Sequence, residues 1–408
     1  MPLVDMKDML KHAYHHGYAV GAFDLVSLDF LQGIMTAAEQ ARSPVILSLA
    51  ESHFEYFDFK LVMPAVEAAA KQASVPVAIH LDHGASLASA VAAINHGCNG
   101  VMVDASHEQL SNNIQITRAV VDMAHACGVP VEGELGYVPG VEGEDAERHP
   151  GEIAYTTPEE ARRYVEQTGV DFLAISIGTV HGRMQGEPKL DFQRLQQINE
   201  ALDTPLVIHG GTGLSDNQFR QLIANGVAKV NYYTALSDAA ARQINENTVT
   251  GAGSGYTGLV KNIRSAVAAE AERCMRLWGA AGRADKVLSY CRSWMPVAHV
   301  IIYNVHGIGK ANAETMIAEG RQVLSAIPGV REVFTGEAVQ NNAKYRYTWL
   351  VRFCHTAVIA SYREHADHVA FANKLFRPVA GERISIDYQM LALGTSHVDH
   401  SNNREVMP

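Results

Sequence analysis

The chain has 408 residues, of which 47% are hydrophobic and 19% are charged, and its formal net charge is −11. This composition is that of a globular protein and excludes a disordered chain, and the acidic balance without a basic stripe gives no support to nucleic-acid binding. No apolar run reaches the roughly 18 residues of a membrane span, and the charged, helix-patterned N-terminus MPLVDMKDMLKHAYHHGYAV is not that of a signal peptide.

The cysteines are scattered, odd in number and without a CxxC pair, which predicts reduced thiols in a cytoplasmic protein. None of them lies beside a plausible base motif, so a catalytic thiol is not expected. They are Cys98, Cys127, Cys274, Cys291 and Cys354.

From the N-terminus to about residue 235, short apolar runs alternate with longer amphipathic segments that often begin at Ser, Thr or Asp and end at Gly. Continuous apolar runs separated by helices indicate parallel strands that are buried on both faces. Eight such units predict an α/β fold of the (β/α)8 (TIM) barrel type, with a doubly wound sheet as the alternative. The predicted strands are 18–23, 45–50, 77–83, 100–105, 129–136, 171–178, 205–211 and 227–233.

Polar residues interrupt these apolar runs mostly at one end of the predicted barrel. In a barrel the carboxyl ends of the strands and the loops after them carry the functional site, so this concentration predicts such a site. The polar residues are Asp82, His83, Asp104, Glu132, Glu134, His181, His209, Asn231 and Thr234, and the glycines beside them are Gly182, Gly210 and Gly211.

Three of these residues, His83, His181 and His209, come from three separate strand ends and are therefore expected to converge. Three neutral imidazoles with an open fourth position form a catalytic zinc site. Zinc in such a site polarises a substrate carbonyl or generates a hydroxide nucleophile. The spacing is long-range, so this prediction depends on the inferred fold.

Two glycine-containing loops suggest substrate contacts. HGGTG at 209–213 leads into a helix, and its backbone N–H groups could cradle a phosphate; the alternative is a plain tight turn.

The longest connection in the barrel carries Glu142 and Glu144 among glycines. Long loops in compact domains are often lids, so a carboxylate there could act as a mobile base; the alternative is a solvated acidic loop.

The motifs LDHG, GELG…VEGE, SIGTVHG, GEPKLDF, IHGGTG and VAKVNYYT occur in this order between residue 1 and about residue 283. Together they resemble the class II, zinc-dependent ketose-bisphosphate aldolases, and most closely the fructose-/tagatose-bisphosphate branch. The resemblance implies one Zn²⁺ held by His83, His181 and His209. It also implies a lyase that reversibly cleaves the C3–C4 bond of a phosphorylated ketose to dihydroxyacetone phosphate and an aldehyde.

The same resemblance assigns further roles. Asp82 would give and take the proton at the C4 oxygen, Glu142 would exchange the proton at C3, and Asn231 would hold the enediolate. Asp104 and Glu134 would support the ligands or form an alternative metal position, and a monovalent cation, Na⁺ or K⁺, could lie nearby. The residues expected to contact substrate or its phosphate are Gly182, Gly210, Gly211, Thr212, Asn231, Tyr232, Tyr233 and Thr234.

Adjacent strand residues face opposite ways. For Asp82 and His83 to serve one site, the strand must therefore bend or bulge between them.

This chain departs from the family pattern at several positions. Asp24 stands where the family usually has Asn, Ala50 where it usually has Ser, and Tyr232 and Tyr233 where it usually has a small pair. HGGTG replaces the usual HGGSG. The missing serine and the bulky tyrosines suggest that the dihydroxyacetone-phosphate half of the substrate is kept while the aldehyde half differs.

After residue 283 the pattern changes to β–α–β–β–α–β with alternating strands, which predicts a ferredoxin-like α+β domain. IPGV, an aromatic strand and HADHVAFA resemble the stress-responsive A/B barrel (Dabb) family over 295–391. This resemblance implies pairing of sheets into a dimeric barrel, hence a homo-oligomer, dimer or tetramer; a small-ligand or specificity role is the alternative. A packing role is expected for the i, i+3 pair His365 and His368.

The predicted organisation is a barrel over 1–285, the Dabb-like domain over 295–391 and a tail over 392–408. Two other functions remain open: a zinc-dependent barrel hydrolase, or a catalytically silent barrel that serves as a scaffold for the Dabb-like domain. A mobile Glu, an Asn able to hold an enediolate and a phosphate cradle favour the aldolase.

Overall fold

The computed structural model describes residues 2–140, 145–146, 154–184, 189–250 and 255–389, with residues 145, 146 and 184 described by their backbone alone. The predicted tail and the two glutamates of the long loop, Glu142 and Glu144, lie outside the described residues.

Eight parallel strands close into a barrel in the order β1-β10-β9-β7-β5-β4-β3-β2. The strands are β1 Val20–Asp24, β2 Val45–Ala50, β3 Val77–Gly84, β4 Gly100–Val103, β5 Val131–Leu135, β7 Phe172–Ile175, β9 Leu206–Ile208 and β10 Val227–Tyr232. Each lies within its predicted run or extends one residue beyond it, and the TIM-barrel prediction is confirmed. Two short segments, β6 Asp145–Ala146 and β8 Arg183–Met184, form a separate parallel pair.

Helices alternate with the strands as predicted, and several have the expected caps. The side chains of Ser27, Ser86 and Ser215 accept backbone N–H groups in the first turns of their helices. A 3₁₀ turn, Glu51–Glu55, follows β2. The helices are α1 Met6–His15, α2 Leu28–Ala41, α3 Phe59–Gln72, α4 Leu87–His96, α5 Leu110–Ala126, α6 Pro158–Thr168, α7 Phe192–Ala201, α8 Asp216–Ala224, α9 Thr234–Thr250, α10 Tyr256–Leu259, α11 Ile263–Leu277 and α12 Ala284–Tyr290.

The first helix closes the N-terminal end of the barrel. Met6, Met9 and Leu10 of α1 pack in one apolar cluster with Val20 and Ile46 from the barrel interior. A second, larger cluster fills the space between the strands and the surrounding helices. The apolar floor leaves the opposite, carboxyl end of the strands for polar side chains.

Strand β3 carries the predicted irregularity at Asp82 and His83. Leu81 pairs with Val101 and Gly84 pairs with Val103, so β3 has one residue more than β4 in the same interval. His83 has a φ of 45°, in the left-handed region that a residue with a side chain seldom adopts. This bulge lets both side chains reach the open end of the barrel, and the predicted bend is confirmed.

The C-terminal domain is a four-stranded antiparallel sheet in the order β12-β13-β11-β14, with helices on one face. The ferredoxin-like prediction is confirmed, although the expected second helix is broken at His365 into short pieces. The elements are β11 Val297–Val305, α13 Lys310–Ser325, β12 Val330–Glu337, β13 Tyr347–Phe353, α14 Val358–Glu364, α15 Ala366–Phe371, a π-helical turn Ala372–Phe376 and β14 Ala380–Gln389.

The C-terminal domain docks where α4 and α5 end, beside the N-terminal end of the barrel strands. The Asn95 side chain accepts a 2.7 Å hydrogen bond from Gly329 N and donates to Ile327 O at 3.1 Å. Arg331 pairs with Glu67 of α3. These contacts place the domain away from the carboxyl ends of the strands.

All five cysteines are free and buried. In the part of the chain that the structure describes, no helix has the length and apolar character needed to cross a membrane.

Candidate metal centre and active site

The three predicted histidines come together at the carboxyl end of the barrel. His83 lies at the end of β3, His181 in the loop after β7 and His209 after β9. One ligand nitrogen from each lies within 4.8 Å of those of the other two. The ring centroids are 4.6 to 5.8 Å apart. This spacing fits three imidazoles arranged around one ion.

Two of the rings are held from behind by carboxylates. His83 Nδ1 lies 2.9 Å from Asp104 Oδ2, and His209 Nε2 lies 3.0 Å from Glu132 Oε1. The other nitrogens, His83 Nε2 and His209 Nδ1, are buried and have no hydrogen-bond partner among the described residues. Ligating histidines typically give their second N–H to a carboxylate, so this donor set fits Zn²⁺.

The third ring is fixed through its backbone. His181 N donates to Pro139 O at 2.8 Å, which ties the loop after β7 to the segment after β5. That segment passes so close that a β-carbon on Gly140 would lie 2.3 Å from His181 O. Gly140 also has a φ of 105°, so glycine is required there for two reasons.

The charge around the histidines favours a cation. Burial acts to raise the pKa of Asp82, but His83, His209 and Lys229 lower it to about 2. The pKa of Asp104 is also lowered, against its burial, by the hydrogen bonds of His83 and Ser106. Both carboxylates are therefore ionised at neutral pH.

Asp82 is positioned by Asn231 across the barrel mouth. Asn231 Nδ2 donates to Asp82 Oδ2 at 2.7 Å. Asp82 Oδ1 and Asn231 Oδ1 are buried without a hydrogen-bond partner among the described residues. The pair thus has one carboxylate oxygen and one amide oxygen left to meet hydroxyl groups of a bound molecule.

Glu134 lies beside the centre and offers a second set of ligands. His83, Asp104 and Glu134 also have ligand atoms within 4.8 Å of one another. Burial, and secondarily the charge of Asp104, raises the pKa of Glu134 to about 8. These residues could hold an ion, and the alternative metal position at Asp104 and Glu134 stays a prediction.

The loops expected to bind phosphate open beside each other, because β9 and β10 are adjacent parallel strands. Gly210 has a φ of 70°, and a β-carbon there would lie 2.3 Å from Val180 O, so this turn admits only glycine. Gly182 also has a positive φ, of 84°. Gly211 follows Gly210, Thr212 is partly exposed and Thr234 begins α9.

Tyr232 does not lie in the site, which corrects the prediction that it contacts substrate. Its ring packs against Phe23 and Trp278, and its hydroxyl donates to Glu270 Oε1 at 2.8 Å. The alternation of β10 explains this, because Asn231 faces the barrel interior and its neighbour must face the helices. Tyr233 stays near the opening, with its ring centroid 4.3 Å from that of His53.

Two other departures from the family pattern lie at strand ends. Ala50 pairs directly with Asp82 in the β2–β3 register. Asp24 is buried at the end of β1 and pairs with Ser48. Glu142, predicted as the mobile base, lies outside the described residues.

Sequence reasoning missed two buried side chains below the histidines, Lys229 and His80, both of which lie close to Glu132. Lys229 Nζ lies 2.7 Å from Glu132 Oε2, and His80 Nε2 lies 3.8 Å from the same oxygen. All three residues are 0% exposed. The sequence indicates Glu132 only by its place on a predicted strand. Lys229 and His80 lie inside apolar runs, and a charge or imidazole embedded in such a run was the available signal of a buried polar contact.

Comparison with known proteins adds an independent observation. Residues 4–283 match the family model of class-II fructose-bisphosphate aldolase, and residues 297–390 match that of the stress responsive A/B barrel domain.

Similar proteins include a probable fructose-bisphosphate aldolase of Bacillus subtilis strain 168, 43% identical over 249 residues, which are 60% of this chain and 86% of that protein. The crystal structure of the YdjI aldolase from Escherichia coli K12 is 35% identical, with a TM-score of 0.63 over 69% of this chain and 99% of that one. A putative fructose-1,6-bisphosphate aldolase structure from Coccidioides immitis is 32% identical, with a TM-score of 0.60 over 68% of this chain and 97% of that one.

Proposed function

The chain belongs to the class-II fructose-bisphosphate aldolase family, and from this premise we propose that it is a zinc-dependent aldolase. It reversibly cleaves the C3–C4 bond of a phosphorylated ketose to dihydroxyacetone phosphate and an aldehyde. The observation that carries the proposal is the meeting of His83, His181 and His209 beside the ionised Asp82 at the barrel mouth. Asn231, whose Oδ1 is buried without a partner among the described residues, could hold an enediolate and favours the aldolase over a zinc hydrolase.

His83, His181 and His209 would hold the zinc, which would serve as a Lewis acid that polarises a ketone. Asp104 and Glu132 hold the rings of His83 and His209 so that the buried nitrogens face one point. The closed barrel and the apolar cluster at its N-terminal end exclude bulk water from that side of the site. This preorganised arrangement stabilises the negative charge that develops on the ketone oxygen during cleavage.

The proton transfers fall to carboxylates. Asp82 is ionised at neutral pH, so in the cleavage direction it takes the proton of the C4 hydroxyl, and in the condensation direction it returns it. Asn231 holds Asp82 through one amide N–H, and its Oδ1, which has no partner among the described residues, meets a hydroxyl of the enediolate. Glu142, on the long loop after β5, exchanges the proton at C3.

The phosphate of the dihydroxyacetone-phosphate half binds at the loops after β7, β9 and β10. Backbone N–H groups in glycine turns and at helix starts favour anions. The tight turn at Gly210, which requires glycine, and the N-terminus of α9 at Thr234 support this assignment. We also propose that a monovalent cation, Na⁺ or K⁺, binds near this phosphate.

The aldehyde half of the substrate carries no second phosphate. Ala50, beside Asp82, offers a methyl group in place of a hydroxyl donor. Tyr233 packed on His53 adds bulk near the opening. Since Tyr232 faces the helices, it takes no part in this selection.

The chains associate through the C-terminal sheet. Its helix-free face is apolar and exposed, with Phe334 at 51%, Ile384 at 41%, Ile386 at 44% and Tyr388 at 52% exposure. Val300 pairs with both Ile386 and Leu350, so these side chains form one continuous surface. A second copy of the same sheet covers this surface and forms a homo-oligomer.

The decisive test is a coupled assay for dihydroxyacetone phosphate release over a panel of ketose 1-phosphates and 1,6-bisphosphates. Release that is sensitive to a chelator and lost in His181→Ala would support the aldolase. A folded, zinc-loaded protein that releases dihydroxyacetone phosphate from no member of the panel would refute it.

A further inference from the structure

A chain of buried polar contacts runs beneath the three histidines and joins three strands of the barrel. Lys229 Nζ on β10 lies 2.7 Å from Glu132 Oε2 on β5, and Glu132 Oε1 lies 3.0 Å from His209 Nε2 after β9. All three side chains are 0% exposed. Each oxygen of Glu132 therefore has its own partner.

Core packing alone does not explain this series of buried polar contacts. Burying a lysine and a glutamate costs desolvation that their attraction often fails to recover, and apolar residues of similar size would pack as well. Lys229 also lies at a register shift between Val227 and Lys229, where β10 departs from regular pairing with β9. Ala228 faces the barrel interior. In a regular strand the next side chain, that of Lys229, would therefore face the helices, and the shift lets it face the interior instead.

The free nitrogens of His83 and His209 are not equivalent. His83 meets Asp104 through Nδ1 and leaves Nε2 buried without a partner among the described residues, whereas His209 meets Glu132 through Nε2 and leaves Nδ1. Which nitrogen of a histidine binds a metal is set by the hydrogen bond that the other makes.

We propose that Glu132 and Lys229 are positioning residues for His209. Glu132 accepts a hydrogen bond from the protonated Nε2 of His209. The lone pair of His209 is then on Nδ1, directed at the metal position. Lys229 holds the other oxygen of Glu132 through its 2.7 Å contact and so fixes the orientation of the carboxylate. This inference rests on the proposed zinc site and adds that His83 and His209 bind the ion through opposite nitrogens.

Two double variants separate positioning from simple packing. Glu132→Leu with Lys229→Met removes the acceptor and both charges together, whereas Glu132→Gln with Lys229→Met keeps a neutral acceptor for His209. Zinc affinity is measured by competition with a chromophoric chelator, and folding by thermal unfolding of the metal-free proteins. The Leu/Met variant should bind zinc roughly 10 to 100-fold more weakly than wild type, and the Gln/Met variant should recover most of this loss.

A spectroscopic measurement on the wild-type chain tests the same inference without substitutions. In zinc-loaded protein with isotope-labelled histidines, NMR should show His209 bound through Nδ1 with a proton on Nε2, and His83 the reverse. Binding of His209 through Nε2 would overturn the inference, and this readout applies even if a double variant does not fold.

The failures of the two proposals are distinguishable. If wild type binds no zinc, both the proposed function and this inference fall. If wild type binds zinc and a folded Leu/Met variant binds it equally tightly, only the positioning role falls.

Discussion

Asn231 and Asp82 lie on strands from different parts of the chain, yet the amide of Asn231 donates a 2.7 Å hydrogen bond to Asp82 Oδ2. The pair leaves Asp82 Oδ1 for a substrate hydroxyl, with the pKa of Asp82 lowered to about 2. Asp82 is therefore ionised at neutral pH and has an oxygen free to accept a proton.

Replacement of Asp82 by Asn should lower kcat by about 10² to 10⁴-fold, the usual contribution of a general base. Zinc content should stay at the wild-type level, because Asp82 is not one of the three ligands. The measurement is steady-state release of dihydroxyacetone phosphate together with metal analysis. Asp122→Asn, on the exposed side of α5, is the matched control. Unchanged turnover in Asp82→Asn would remove Asp82 from the proposed chemistry.

His181→Ala should lose zinc and activity together, because two imidazoles bind the ion far more weakly than three. The expected fall in zinc affinity exceeds about 100-fold, more than the loss of an outer partner causes. Chelator competition measures this affinity. His15→Ala, an exposed histidine at the end of α1, should behave as wild type. Full zinc occupancy in His181→Ala would contradict the assigned ligand set.

Ala50→Ser should improve cleavage of a 1,6-bisphosphate. A hydroxyl beside Asp82 restores a donor for the far end of the substrate, and a hydrogen bond to a charged group corresponds to a gain in kcat/KM of about tenfold or more. The ketose 1-phosphate is the internal control, and its kcat/KM should change little. Equal effects on both substrates would show that position 50 does not select at the far phosphate.

Ile384→Glu combined with Ile386→Glu should break the association of chains, because charges would be buried on the apolar sheet face. Light scattering after size-exclusion chromatography should show a lower mass, with zinc binding by the barrel retained. Val339→Glu, at a residue 92% exposed outside the strands of the sheet, is the control. A mass unchanged from wild type would exclude this surface as the interface.

Stability should fall as the pH falls from about 6.5 towards 4, in part through His12. Burial, with His16 and Arg283 nearby, lowers the pKa of His12 to about 4. Between pH 6.5 and 4 the unfolded chain binds a proton that the folded chain does not, so the free energy of unfolding falls as the pH falls, by up to about 3 kcal/mol. Urea unfolding at several pH values should show a flatter dependence for His12→Gln. An unchanged slope in that variant would assign the effect to other groups.

The sequence was sufficient for the barrel and for the meeting of distant polar residues. Strand-length apolar runs locate the eight strands closely, and parallel strands bring their carboxyl ends to one side, so His83, His181 and His209 could be grouped without knowing any distance. The requirement that Asp82 and His83 face one site also predicted the bulge in β3.

Side-chain direction and embedded charges were harder to predict. The prediction places Tyr232 in the substrate site because it follows Asn231 in the sequence. The two-residue period of a strand, however, puts these two side chains on opposite faces of β10. Lys229 faces Glu132 at an irregular pairing of β10, and such a register shift leaves no mark in an apolar run. The second helix of the C-terminal domain is interrupted at His365, although its composition is that of one helix.

The docking of the C-terminal domain at the N-terminal end of the barrel has an evolutionary consequence. Asn95, Gly329, Arg331 and Glu67 tie the two domains together at the end of the barrel that serves stability. Selection can therefore alter how chains associate without touching the loops that recognise substrate, and those loops can diverge without disturbing assembly. In an assembly joined through the exposed sheets, every barrel mouth keeps its own path for diffusing sugar phosphates.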